Sequence, residues 1–123
     1  MSTRPKYLNL LQIRMPVPAF VSILHRVSGA VLFLALPGLL AWWQCSLSSP
    51  DSFAASKSFA ANPLVKIIII GLVWAYLHHV CAGIRHLASD IDLGTELKSA
   101  RIGSWLVLAV SIALTLVIGA RIW

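Results

Sequence analysis

The chain has 123 residues, of which 59% are hydrophobic and only 11% charged, with a formal net charge of +6 and a mean hydropathy of +0.84. A water-soluble domain carries roughly 25% charged residues, so this composition excludes a soluble fold and leaves an all-α integral membrane protein of one domain. The ten Lys and Arg residues are scattered at segment ends rather than clustered, which fits membrane flanks and argues against nucleic acid as a partner.

Residues 1–18 are polar and basic, with Pro5, Pro16 and Pro18, and form an expected N-terminal arm leading to the membrane surface. Arg4 and Lys6 imitate a signal-peptide flank, but Arg14, Pro16, Pro18 and His25-Arg26 interrupt what should be an apolar core. The transmembrane domain is expected over 19–123, with spans at about 19–44, 63–89 and 102–121. In the first, residues 27–43 are 17 uncharged positions, close to the ~20 needed to cross a hydrocarbon core. Pro37-Gly38 sits inside it, which a membrane bundle tolerates, and Trp42-Trp43 mark the far interface. Residues 45–62 are rich in Ser and Ala, with Pro50 and Asp51, and are expected to be a polar connecting loop. Pro63 suits the first turn of the second span. The third contains 19 uncharged residues, 102–120, flanked by Arg101 and Arg121. Cys45 and Cys81 have no metal-binding spacing and behave as small residues, so they leave the redox compartment open.

The chemistry concentrates in residues 76–90, which hold three of the four histidines. On a helix, His79, Gly83, His86 and Asp90 are spaced by 4, 3 and 4 and share one narrow face, with Tyr76 a turn above. His78 points roughly 100° away. Taken singly, each histidine is more often a satisfied core residue. Their alignment beside a glycine argues for a site, because ionisable groups in apolar helices face a bundle interior or a cofactor, and a glycine leaves a gap for a planar group.

A second cluster lies in the first span, Ser22-Ile23-Leu24-His25-Arg26-Val27-Ser28-Gly29. Ser22, Arg26 and Gly29 share a face, with His25 beside it. The two clusters fall at the same depth, on helices joined at the opposite membrane surface. A deep histidine suits haem iron, and arginine or histidine nearer the surface suits carboxylates in low dielectric. Arg85 is roughly 9 Å along the helix from His79 but points off its face, so His86 and Arg26 are the better partners for such carboxylates. For Arg85 and Arg26 the plain alternative is snorkelling to the headgroups.

These two motifs, with Gly83-Ile84-Arg85-His86-Leu87 and Asp90, resemble the cytochrome b membrane anchor subunit of succinate dehydrogenase, and the resemblance covers nearly the whole chain. It implies three transmembrane helices forming part of a haem-binding bundle with a partner chain. It further implies that His79, four residues before the motif glycine, is an axial ligand of haem b, and that Ser22 and Arg26 help form a ubiquinone site. His25, Arg26 and His86 would lie near the haem propionates. His78 offers a second imidazole one position away, but the glycine spacing and the shared face select His79. The implied partners are a second small membrane subunit supplying the other haem ligand, an iron–sulfur subunit, a flavoprotein subunit and membrane lipid. No flavin, iron–sulfur or dicarboxylate motif is visible, so succinate oxidation falls to those partners and no complete active site lies in this chain.

Other readings are the anchor of a fumarate reductase, with electrons running the other way, a small transporter or channel subunit, and a purely structural anchor. Against transport, the ionisable groups sit in one half of the bilayer and leave no polar route across it.

Seven of the basic residues (Arg4, Lys6, Arg14, Arg26, Arg85, Lys98, Arg101) fall on one side of the membrane and three (Lys57, Lys66, Arg121) on the other. This bias places the N-terminus in the cytoplasm of a bacterial inner membrane, or less favourably in a mitochondrial matrix. A reporter active only outside the membrane should therefore work when fused after Trp123. Activity at residue 95 instead would show the orientation to be inverted.

Overall fold

The computed structural model describes residues 15–123. Four helices follow in order: α1 (Val17–Ser46), α2 (Pro50–Ala60), α3 (Pro63–Asp90) and α4 (Leu97–Ile122). Three of them, α1, α3 and α4, are long and apolar enough to cross a membrane. Their 30, 28 and 26 residues correspond to roughly 39–45 Å of helix, more than a ~30 Å hydrocarbon core. Each span expected from hydropathy falls within one helix, and the helix continues past it into the headgroup zone.

Three boundaries differ from expectation. Most of the N-terminal arm, residues 1–14, lies outside the described residues. Its last two residues are already helical, because Pro16 is the extended N-cap of α1 and Pro18 stands in the first turn, where a missing N–H leaves no bond unmade. The helix then runs unbroken through Pro37.

The second difference is in residues 45–62, which are not simply a loop but carry α2. The Ser49 side chain caps it by accepting from the Ser52 N–H at 3.1 Å. Pro50 opens the helix, and Asp51 and Lys57 stand in its first and last turns, matching the helix dipole. Phe59 of α2 meets Trp42 of α1 edge-on, with ring centroids 5.8 Å apart, which holds α2 against the end of α1.

Third, α4 starts at Leu97 rather than near 102, adding a charged turn before the apolar stretch. The reversal between α3 and α4 uses a positive φ at Asp92 and Gly94, the residue types that tolerate it best.

The three long helices pack antiparallel in sequence order. A Cβ placed on Gly103 would meet the Arg85 side chain at 3.4 Å, and one on Gly119 would meet Ile70 at 3.6 Å. That register sets Val107 level with Ala82, Ser111 with His78, and Thr115 with Trp74. The interface is small and partly polar: Val21, Ala82 and Val107 form the apolar core, and Ser104, Ser111 and Thr115 are buried beside it. Their hydroxyls donate within α4, to Ala100, Leu108 and Ser111 carbonyls, so they bring backbones close without leaving buried donors unpaired. At the far end Lys66 donates to the Trp123 carbonyl at 3.0 Å and lies over its ring, tying the start of α3 to the end of α4.

Candidate functional site

The site is made where α1 and α3 cross closely, and two glycines permit that approach. A Cβ on Gly29 would stand 2.7 Å from Cε1 of His79, and one on Gly83 would meet Nε2 of His25 at 3.6 Å. Each helix therefore contributes a His-x-x-x-Gly pair, and each histidine lies on the glycine of the other helix. Four residues forward in α1 match four back in α3, as antiparallel packing requires.

This reciprocal packing stacks the rings. His25 and His79 have centroids 4.2 Å apart with planes at 16°. His86, two turns along α3 from His79, tilts onto His25 at 5.0 Å and 44°. Three of the expected site residues, His25, His79 and His86, are thus brought into one cluster. All three rings are half-buried, and α4 makes no part of the cluster.

Hydrogen bonding sets the chemistry of His79. Its Nδ1 lies 3.0 Å from the His25 carbonyl oxygen and 3.3 Å from Ser28 Oγ. A carbonyl can only accept, so Nδ1 carries a proton and donates it; in the neutral ring this selects the tautomer with its lone pair on Nε2. Nε2 has no hydrogen-bond partner among the described residues. A neutral imidazole, oriented through Nδ1 and free at Nε2, is the form in which histidine binds a metal. Among the described residues no group of three His, Cys, Asp or Glu side chains is placed to hold a metal ion.

His78 is separated from this cluster. It is fully buried and stacks on Trp74 at 5.4 Å, in the interior of the three-helix bundle. Among the described residues neither of its ring nitrogens has a well-formed hydrogen bond. Between the two neighbouring imidazoles, only His79 stands in the cluster with His25 and His86.

Arg85 also leaves the cluster. Its Nη2 donates to the Ala100 carbonyl at 3.3 Å, beside Gly103, so it ties α3 to the first turn of α4 rather than snorkelling. Ser22 is half-buried and Arg26 exposed. Both stand on α1 one position round from the edge that carries Val21, His25 and Ser28, and neither makes a side-chain hydrogen bond to another described residue. Ser28 and Gly29 are contributors that residue spacing alone did not single out for His79. The available signal was the repeated His-x-x-x-Gly spacing in both helices.

A groove of about 390 Å³ between α1 and α2 is lined by Leu39, Trp42, Phe53, Lys57 and neighbours. It is apolar, lies toward the other end of α1 and contains no cluster of titratable groups, so pocket size does not identify the functional region here.

Residues 1–118 match the family described as the succinate dehydrogenase/fumarate reductase transmembrane subunit. A Rickettsia felis protein named succinate dehydrogenase cytochrome b556 subunit is 34% identical over 115 residues, covering 94% of this chain and 90% of the relative. Relatives of the same name from Coxiella burnetii and Paracoccus denitrificans are each 34% identical, over 98% and 90% of this chain and 97% and 85% of their own lengths.

The glycine seat makes a direct prediction. Gly29→Ala should force the His79 ring off α1 and destabilise the helix pair by about 1–3 kcal/mol, the usual cost of overpacking. Gly38→Ala meets nothing within 4 Å and should have no such effect. Melting temperatures of the two purified variants check this.

Proposed function

This chain belongs to the family of succinate dehydrogenase and fumarate reductase transmembrane subunits, and from that premise we propose that it is the cytochrome b anchor of a succinate dehydrogenase, carrying part of a haem b site and part of a ubiquinone-reducing site. The observation that carries this reading is the state of His79. Its ring lies on Gly29, with Nδ1 bonded to the His25 carbonyl and Nε2 left as a lone-pair donor.

The residues present fit a haem. His79 Nε2 would bind the iron, and Gly29 and Gly83, each carrying a histidine ring of the facing helix, seat the His79 and His25 imidazoles close to the backbone. His25, His86 and Arg26 would hold the propionates, whose charge needs partners in a low-dielectric setting. Bound here, the haem supplies a one-electron centre whose potential is set by its ligands and surroundings. With His79 as the one ligand this chain would offer, a second membrane subunit would supply the other.

Ser22 and Arg26 are assigned to the quinone. They share a face near the start of α1, at the surface where a peripheral iron–sulfur subunit would dock. Arg26 would donate a charge-assisted hydrogen bond to a quinone carbonyl, worth roughly 1.5–3 kcal/mol, and Ser22 would add a neutral one. Succinate oxidation would belong to a flavoprotein partner. The relatives carry the succinate dehydrogenase name, which favours electron flow toward quinone over the fumarate reductase direction. Their bacterial sources, with the lysine and arginine bias, support an inner-membrane location with the N-terminus in the cytoplasm.

Two measurements test these assignments. In the assembled complex, His79→Ala should abolish or alter the b-type absorption band, and His78→Ala should retain it, since His78 lies in the interior of the three-helix bundle. The reverse pattern would transfer the ligand role to His78.

For the quinone, Arg26→Leu should lower quinone reductase activity at least about tenfold, equivalent to 1.4 kcal/mol. Succinate oxidation with an artificial acceptor that draws electrons from the peripheral subunits should persist. Unchanged quinone reduction in an assembled complex would remove Arg26 from the quinone site.

A further inference from the structure

Ser28 is 3% exposed, and its hydroxyl is the one α1 side-chain group within hydrogen-bond distance of His79. Its proton goes to the His25 carbonyl at 2.9 Å, which turns the Oγ lone pairs toward His79 Nδ1 at 3.3 Å. The Nδ1–H is thus shared between two acceptors, the His25 carbonyl at 3.0 Å and Ser28 Oγ. The alternative, with the proton on Nε2, would oppose the Nδ1 lone pair to a carbonyl oxygen at 3.0 Å and is repulsive. Two acceptors on either side of one N–H fix a direction as well as a tautomer, and Gly29 behind the ring removes the only side chain that would contest it.

We propose that Ser28 is a positioning residue for His79: with the His25 carbonyl it fixes the tautomer and the azimuth of the imidazole that presents Nε2 to the haem. This rests on the haem reading above. A serine in a helix often bonds only its own backbone, and in that case the 3.3 Å contact would be a by-product of packing. The two roles differ in what they do to the iron. A hydrogen bond accepted from Nδ1–H adds anionic character to the imidazole and strengthens Nε2 as a donor, which favours oxidised iron. Loss of the Ser28 acceptor should weaken that donation and free the ring to turn toward the carbonyl.

The test uses the purified, assembled complex. Ser28→Ala should keep haem at the level of the unmodified complex, raise its midpoint potential in a redox titration, and shift the largest g value of its low-spin electron paramagnetic resonance spectrum. An unchanged or lowered potential would overturn the proposal, as would an unchanged spectrum. If Ser28→Ala fails to assemble, Ser28→Cys, close in shape with a weaker donor and acceptor, carries the same expectation and the same reversal. His79→Ala run alongside separates the two levels. Haem retained unaltered in that variant sinks the haem reading itself, whereas haem lost there with no shift in Ser28→Ala sinks only the role of Ser28.

Discussion

The close approach of α1 and α3 at two glycines is the constraint on which the candidate site depends. A glycine within a helix costs about 1 kcal/mol relative to alanine, so two of them at one crossing are an expense that packing must offset. In a membrane that offset is available, because lipid gives helices no hydrophobic reason to associate and close backbone contact supplies it instead. The same contact has a chemical consequence. With no side chain on Gly29, the imidazole of His79 reaches the backbone carbonyl of His25, and one bond across the crossing orients the ring and selects its tautomer.

α4 acts from the other side by fixing the rotation of α3. Ala82 packs with Val107 and Val21, Arg85 reaches the Ala100 carbonyl, and His78 is level with Ser111. Once those positions face inward, the next residue along is turned by roughly 100°, and His79 must face α1. Two adjacent histidines thereby receive opposite environments from a single choice of helix rotation. The arrangement is not free of cost. His78 is buried with no well-formed hydrogen bond among the described residues, a cost to stability partly offset by its stacking on Trp74.

Much of this was legible in the sequence, and what was not has identifiable causes. Apolar length located the three long helices, and the spacing of His79, Gly83 and His86 placed them on one face. Helix α2 was missed because its Ser- and Ala-rich composition carries almost no apolar periodicity, although Ser49-Pro50-Asp51 is a helix-start signal. The early start of α1 at Val17 was hidden by reading Pro18 as a breaker, when a first-turn proline breaks nothing. The parts played by Ser28 and Gly29 depend on the register between two helices, which one sequence's periodicity does not contain. Arg85 shows the same division: its rotation away from His79 follows from spacing, but its partner on α4 does not.

The placement of polar groups supports the proposal that this chain contributes part of a haem site to be completed by a partner. The buried positions of the three-helix interior are small and β-branched residues together with His78. The histidine cluster lies instead along the α1–α3 edge, half-buried, with exposed Arg26 on the same helix. Around it the surface is apolar: Phe33, Leu34, Ile84 and Leu87 are all more than half exposed. In a bilayer such a surface is stable against lipid, but lipid would offer a haem neither a further ligand nor partners for its propionates. A haem bound at His79 would therefore lie at the chain's flank rather than in its core, and the groups that complete its coordination would have to come from the protein that covers that flank. The same edge leaves Ser22 and Arg26 near the membrane surface, so the proposed haem and quinone positions adjoin along α1, and one covering subunit would enclose both.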